Sequence, residues 1–104
     1  MIVIKPAGQP APKVEKRAAE SVAYLLDCRE LLEPFEVIVR TEAIDIPTGV
    51  TIASVRSRKG TSVEVRLDNA SLGTAQYLDY QITLKLTTIN HNVKLAVFQL
   101  RVHR

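Results

Sequence analysis

The chain has no tryptophan, one cysteine, four glycines and only five aromatic rings in 104 residues. Each scarcity excludes something. Cys28 alone allows no internal disulfide framework and suits a reducing compartment. It has no neighbouring His to activate it, so the favoured reading is a small buried apolar side chain. Gly8, Gly49, Gly60 and Gly73 are too scattered for a phosphate-cradling loop. No run approaches the roughly 18 apolar residues a membrane span requires. MIVIKPAGQP offers only four apolar residues before Lys5 and Pro6, too few for an export segment. With only Phe35, Phe98, Tyr24, Tyr77 and Tyr80, rings on which sugars could stack are few, which argues against a carbohydrate-binding module.

Charge of one sign is scarce too: 14 Lys and Arg face 11 Asp and Glu, a net +3. Nucleic-acid binders concentrate positive charge more strongly. The densest patch is Arg56-Ser57-Arg58-Lys59, with no aromatic residue between Phe35 and Tyr77 to accompany it. A solvated turn is the favoured reading, and a small nucleic-acid-binding β-barrel using this turn and the Tyr77/Tyr80 region is the alternative. His91 and His103 have no partner at metal-ligand spacing, and Asp27, Glu30 and Glu33 read as capping or solvent-facing carboxylates. No nucleophile motif is present. The expectation is no metal, no cofactor and no enzymatic activity.

What is present is period two. Leu78, Tyr80, Ile82, Leu84 and Leu86 alternate with polar residues over ten positions, predicting a long strand. Asn90-His91-Asn92 then reads as a hairpin turn with His91 at its exposed tip, since Asn tolerates the left-handed backbone such turns need. Val93, Leu95 and Val97 alternate next, then Phe98, Leu100 and Val102. That change of phase predicts a β-bulge at Val97-Phe98, with His103 in a frayed end. Upstream, Val63, Val65 and Leu67 mark a strand, VTIASVRSR another, and the alternation from Phe35 to Asp45 a third. Residues 68–76 read as a loop. Short strands at this spacing predict one domain, a β-sandwich or small barrel.

Two segments are less regular. Residues 1–17 hold Pro6, Pro10 and Pro12 and read as an extended N-terminal arm, unpaired over 6–12, leaving 18–104 as the β domain. Residues 18–32 fit both helical and strand spacing, with local propensity through Ala18, Ala19, Glu20 and Leu25 favouring helix and Pro34 ending any helix.

From YLLDCRELLEPFEVI onward the chain resembles the fibre–tail adaptor proteins of tailed phages and prophages. The residues that carry the resemblance are Tyr24, Asp27, Leu31, Leu32, Glu36 and Ile38. They are followed by GVTIASV, by GTAQYLDYQITLKLTT, and by a last strand ending in Leu100-Arg101-Val102. The resemblance implies an all-β, immunoglobulin-like β-sandwich with a long C-terminal hairpin. It also implies a strand at Val22–Asp27 and at most one short helix near residues 28–33. It further implies a structural protein of the virion, present in the host cytoplasm during assembly, that joins tail or baseplate to fibre. Its partners would be other tail or fibre proteins and further copies of itself, with no membrane and no nucleic acid. Docking would use the arm or an exposed strand edge, with Ile2, Val3 and Ile4 as apolar anchors and Arg56, Arg58 and Lys59 as a charged rim.

Overall fold

Wherever β-branched and leucine residues alternate with polar ones, the chain is strand. The computed structural model describes residues 2–6 and 11–104. Eight strands follow in order: β1 Ile2–Ile4, β2 Lys13–Arg17, β3 Val22–Asp27, β4 Ile38–Ile44, β5 Val50–Arg58, β6 Ser62–Ala70, β7 Tyr77–Thr88 and β8 Val93–His103. One 3-10 turn at Arg29–Leu31 is the only helical element among the described residues. The fold is therefore an all-β sandwich. The ambiguous segment resolves to a strand over Val22–Asp27 followed by a short helical turn.

The sheets have the orders β1-β3-β6-β5 and β2-β8-β7-β4. In chain order that is the ABED and GFC arrangement of an immunoglobulin sandwich, with β2 added beside the last strand. Both N-terminal strands pair in parallel, β1 with β3 and β2 with β8, where the rest of each sheet is antiparallel. The segment read as an arm thus supplies one edge strand to each sheet. Of the stretch expected to be unpaired, residues 7–10 lie outside the described residues, and Pro12 is not unpaired, since its carbonyl accepts the Gln99 N–H at 2.8 Å.

Between the sheets lies an aliphatic core with two rings at its centre. Tyr24, Leu26, Val63, Val65 and Leu67 of one sheet meet Ile82, Leu84, Leu86, Phe98, Leu100 and Val102 of the other. Tyr24 and Phe98 are tilted to each other with centroids 6.2 Å apart. The Tyr24 hydroxyl donates to the Glu15 carbonyl at 3.3 Å, so one side chain ties β3 to β2. A second tyrosine closes the β6–β7 corner: Tyr80 Oη donates to the Ser71 carbonyl at 3.1 Å. This matches the tyrosine corner of immunoglobulin-type sandwiches in geometry. Cys28 is buried, and desolvation pushes its thiol up to about 12, so it is inert packing.

Four sequence expectations need correction. No bulge interrupts Val97-Phe98; the β7–β8 register is continuous from Tyr77–His103 to Thr87–Val93. The even positions Ala96, Phe98, Leu100 and Val102 face the core throughout, so Val93, Leu95 and Val97 form an apolar stripe on the outer face. The Phe35 alternation is not strand until Ile38, because Pro34 cannot donate to a ladder and Phe35 adopts φ +62°. Asp68–Ala70 continues β6 rather than opening a loop. His103 is paired in β8, not frayed: its carbonyl accepts the Ala18 N–H at 2.7 Å.

Candidate docking surface

Three connections meet at one end of the sandwich: the β3–β4 segment (28–37), the β5–β6 turn (59–61) and the β7–β8 tip (89–92). Backbone bonds fasten them together. Ile38 N–H donates to Gly60 O at 2.8 Å, Cys28 N–H to Thr61 O at 2.9 Å, and Ile89 N–H to Val37 O at 2.9 Å. Gly60, at φ +73°, lets the turn come close; a Cβ there would stand 3.0 Å from Val37 Cβ.

Glu36 is the node of this end. Only 3 % of it is exposed. Its Oε1 accepts the Glu33 N–H at 3.0 Å, and its Oε2 accepts from Thr88 Oγ1 at 2.8 Å and Asn92 Nδ2 at 2.7 Å. The Glu33 backbone bond, then Asn92, with Thr88 and Lys94 adding less, hold its carboxyl below the usual range against the opposing effect of desolvation. A buried carboxylate with its lone pairs satisfied fixes the 33–36 loop to the hairpin.

That loop presents Phe35. Its ring is 102 % exposed and its backbone is left-handed at φ +62°. For a bulky residue this conformation costs about 1–3 kcal/mol. The chain thus holds its one fully solvent-exposed aromatic in a strained position, with no core contact to offset either cost. Ile89 (56 %) and Val39 (57 %) are exposed near it, and Val93 (54 %) and Leu95 (52 %) continue the apolar surface down β8. Single exposed apolar residues are ordinary, but three at one end with two more following down β8 are not.

The anchors and rim expected from sequence are partly assembled here. One row across the outer face of the first sheet reads Val3, Leu25, Glu64, Arg56. Val3 is exposed, Ile4 is in the core and unavailable, and Ile2 stands opposite Tyr24 in the register. Glu64 is buried beneath two guanidinium groups, Arg56 Nε at 2.8 Å and Arg58 Nη2 at 3.0 Å on the same oxygen. Those hydrogen bonds, Arg56 first, hold the Glu64 carboxyl low. Lys59 makes no ion pair among the described residues. The rim therefore keeps one uncommitted cation where the sequence suggested three. Beside it an apolar hollow of about 410 Å³ is lined by Leu25, Arg58, Lys59, Thr61 and Ser62.

The opposite end carries a polar cleft of about 470 Å³ lined by Glu15, Lys16, Arg17, Glu20, His103 and Arg104. Its buried ammonium is already occupied: Lys16 Nζ donates to the carbonyls of Arg17 and Glu20, each at 2.7 Å. His103 Nε2 lies 3.5 Å from Glu15 Oε2. No cluster of three metal-ligating side chains occurs among the described residues.

Sequence reasoning missed Phe35 and the Val93–Leu95 stripe. The signal for the stripe was present: apolar residues at both parities of one strand mean two apolar faces as readily as a bulge. For Phe35, the Glu-Pro preceding it marked a break that the alternation masked. No family model, no curated protein and no solved structure matches the chain.

Proposed function

We propose that the protein is a non-enzymatic docking module acting through protein–protein contact, and a phage or prophage structural protein that joins tail or baseplate to fibre. One observation carries the docking role: Phe35 is fully exposed, strained and rigidly held by the Glu36 network. Strain persisting at an exposed aromatic is a mark of function rather than folding, and exposed aromatics anchor interfaces. Ile89, bonded to Val37, and Val39 supply apolar surface near it, and Lys59, on the turn that holds Ile38 through Gly60, supplies a rim cation. The assignment to the virion rests on the sequence resemblance from Tyr24 to Val102. A nucleic-acid role is less well supported, because Glu64 engages both Arg56 and Arg58 within the fold and cancels the charge of one of them.

Mass spectrometry of purified particles, with antibody labelling in the electron microscope, tests this. The protein is expected in intact particles with label at the tail end. Its absence from well-purified particles contradicts the virion role.

A further inference from the structure

The apolar hollow beside Lys59 is built on β3, β5, β6 and the β5–β6 turn, all of them among the described residues. Leu25 alternates with the core residues Tyr24 and Leu26, so its side chain stands on the outer face of the sheet. There it is half-buried, with exposed Val3 next to it in the β1–β3 register. Thr61 and Ser62 complete the wall. Backbone bonds from Cys28 N–H to Thr61 O and from Ile38 N–H to Gly60 O hold the turn in place.

Charge around the hollow is one-sided. Glu64 answers both Arg56 and Arg58, so one of those charges remains. Lys59, and Arg66 one outward position along β6 from Glu64, make no ion pair among the described residues. Asp27 is taken by Arg29 at 2.9 and 2.7 Å, and Asp68 accepts from the Ser21 hydroxyl at 2.7 Å. On this face Arg56, Arg58, Lys59 and Arg66 therefore outnumber Glu64 and Asp68.

Lys59 is also out of place by turn chemistry. It adopts φ +56° and Gly60 φ +73°, a left-handed pair that Asn or Gly takes far more readily than Lys. An exposed, unpaired lysine in such a position points to a role outside the turn.

We propose that this hollow takes an acidic peptide segment of the partner protein, with an aliphatic side chain seated on Leu25 and carboxylates meeting Lys59 and Arg58. Arg56 stands two strand spacings from Leu25 in the same row, about 10 Å, which three extended residues span. The fitting segment carries Asp or Glu within that reach of its aliphatic anchor. Complementary charge selects this occupant. A nucleic-acid strand fits worse, because no aromatic ring lines the hollow for a base to stack on. The inference rests on the docking reading, whose partner it describes by chemistry, and takes nothing from the virion assignment.

Amide shifts of the isotope-labelled chain in NMR, titrated with the blocked peptide acetyl-Glu-Leu-Asp-Asp-Glu-amide, test it. The shifts should saturate with a dissociation constant of about 1 mM. They should centre on Leu25, Gly60, Thr61 and Ser62 and spare Phe35 and Ile89. Replacing the peptide's Leu with Ser should weaken binding about tenfold. Lys59→Asn should weaken it about threefold without lowering the melting temperature, since Asn suits the left-handed turn. Lys85→Gln removes a cation from the other sheet and should bind like the parent. No saturable shift up to about 10 mM, equal binding of the Ser peptide, or a stronger response of the same amides to a short oligothymidylate would overturn the inference. Saturable binding by a chain that is absent from particles would uphold it and defeat only the virion role.

Discussion

Glu36 and Thr88, 52 positions apart in sequence, share a buried hydrogen bond of 2.8 Å that joins the β3–β4 loop to the end of β7. Through it, a carboxylate that makes no part of any sheet holds an exposed phenylalanine beside it in a left-handed turn. Removing the carboxylate by Glu36→Ala should loosen residues 33–37 and the β7–β8 tip while leaving the strands. Hydrogen exchange should show lost protection at the amides of Glu33, Ile89 and Asn92, with β3 and β6 unchanged.

Acidification should act through the same carboxylates. Glu36, Glu64 and Asp79 all titrate below their ordinary values, held down first by the Glu33 N–H, by Arg56 and by Arg101 respectively. A carboxylate lowered on folding contributes stability that is present above its unfolded value and lost as pH falls through the folded one. The melting temperature should therefore be flat from neutrality to about pH 5 and fall below about pH 4. Glu36→Gln and Glu64→Gln should each flatten that fall, and a scan of thermal melts against pH reads it.

Phe98→Ala should cost about 3–5 kcal/mol, because the ring is fully buried beside Tyr24 at the centre of the core. In a domain this size that is a large share of total stability. Urea denaturation should show a much lower midpoint.

At the β6–β7 corner, Tyr80→Phe removes only the hydroxyl bonded to Ser71 and should cost about 1 kcal/mol. Gly49→Ala should cost more. It forces φ +96° on a residue with a Cβ and places that atom 3.2 Å from Tyr80 Oη. The same denaturation experiment ranks the two.

Binding to single-stranded or duplex nucleic acid should be weak and should lack a steep salt dependence, because Glu64 already answers Arg56 and Arg58. Filter binding at low and moderate salt measures it.

Much of the sandwich was legible because one face of most strands is buried, which writes period two into the sequence. Leu78–Leu86 shows this, and so do Val63, Val65 and Leu67. Where both faces carry apolar residues the pattern stops reporting which face is inside. On β8 the outward Val93, Leu95 and Val97 merged with the inward Phe98, Leu100 and Val102 into an apparent bulge. The N-terminal strands were illegible for another reason: short parallel edge strands on either side of Pro6, Pro10 and Pro12 take their register from β3 and β8, not from their own alternation. The charged rim was legible as composition only. Nothing local in Arg56-Ser57-Arg58 shows that Glu64, on the neighbouring strand, takes both guanidinium groups. Phe35 was hidden because it sits where a core residue would fit the alternation, and only its backbone shows that it turns outward.

The most direct measurement pairs stability with docking in one variant, Phe35→Asn. Asn adopts the left-handed conformation readily, so the variant should be about 1 kcal/mol more stable and melt about 4–8 °C higher. It should also lose the anchor: on the virion role proposed above, its incorporation into particles should fall by about 30-fold. A variant that melts lower than the parent and is incorporated equally well would contradict the account, because Phe35 would then serve the fold and not the contact.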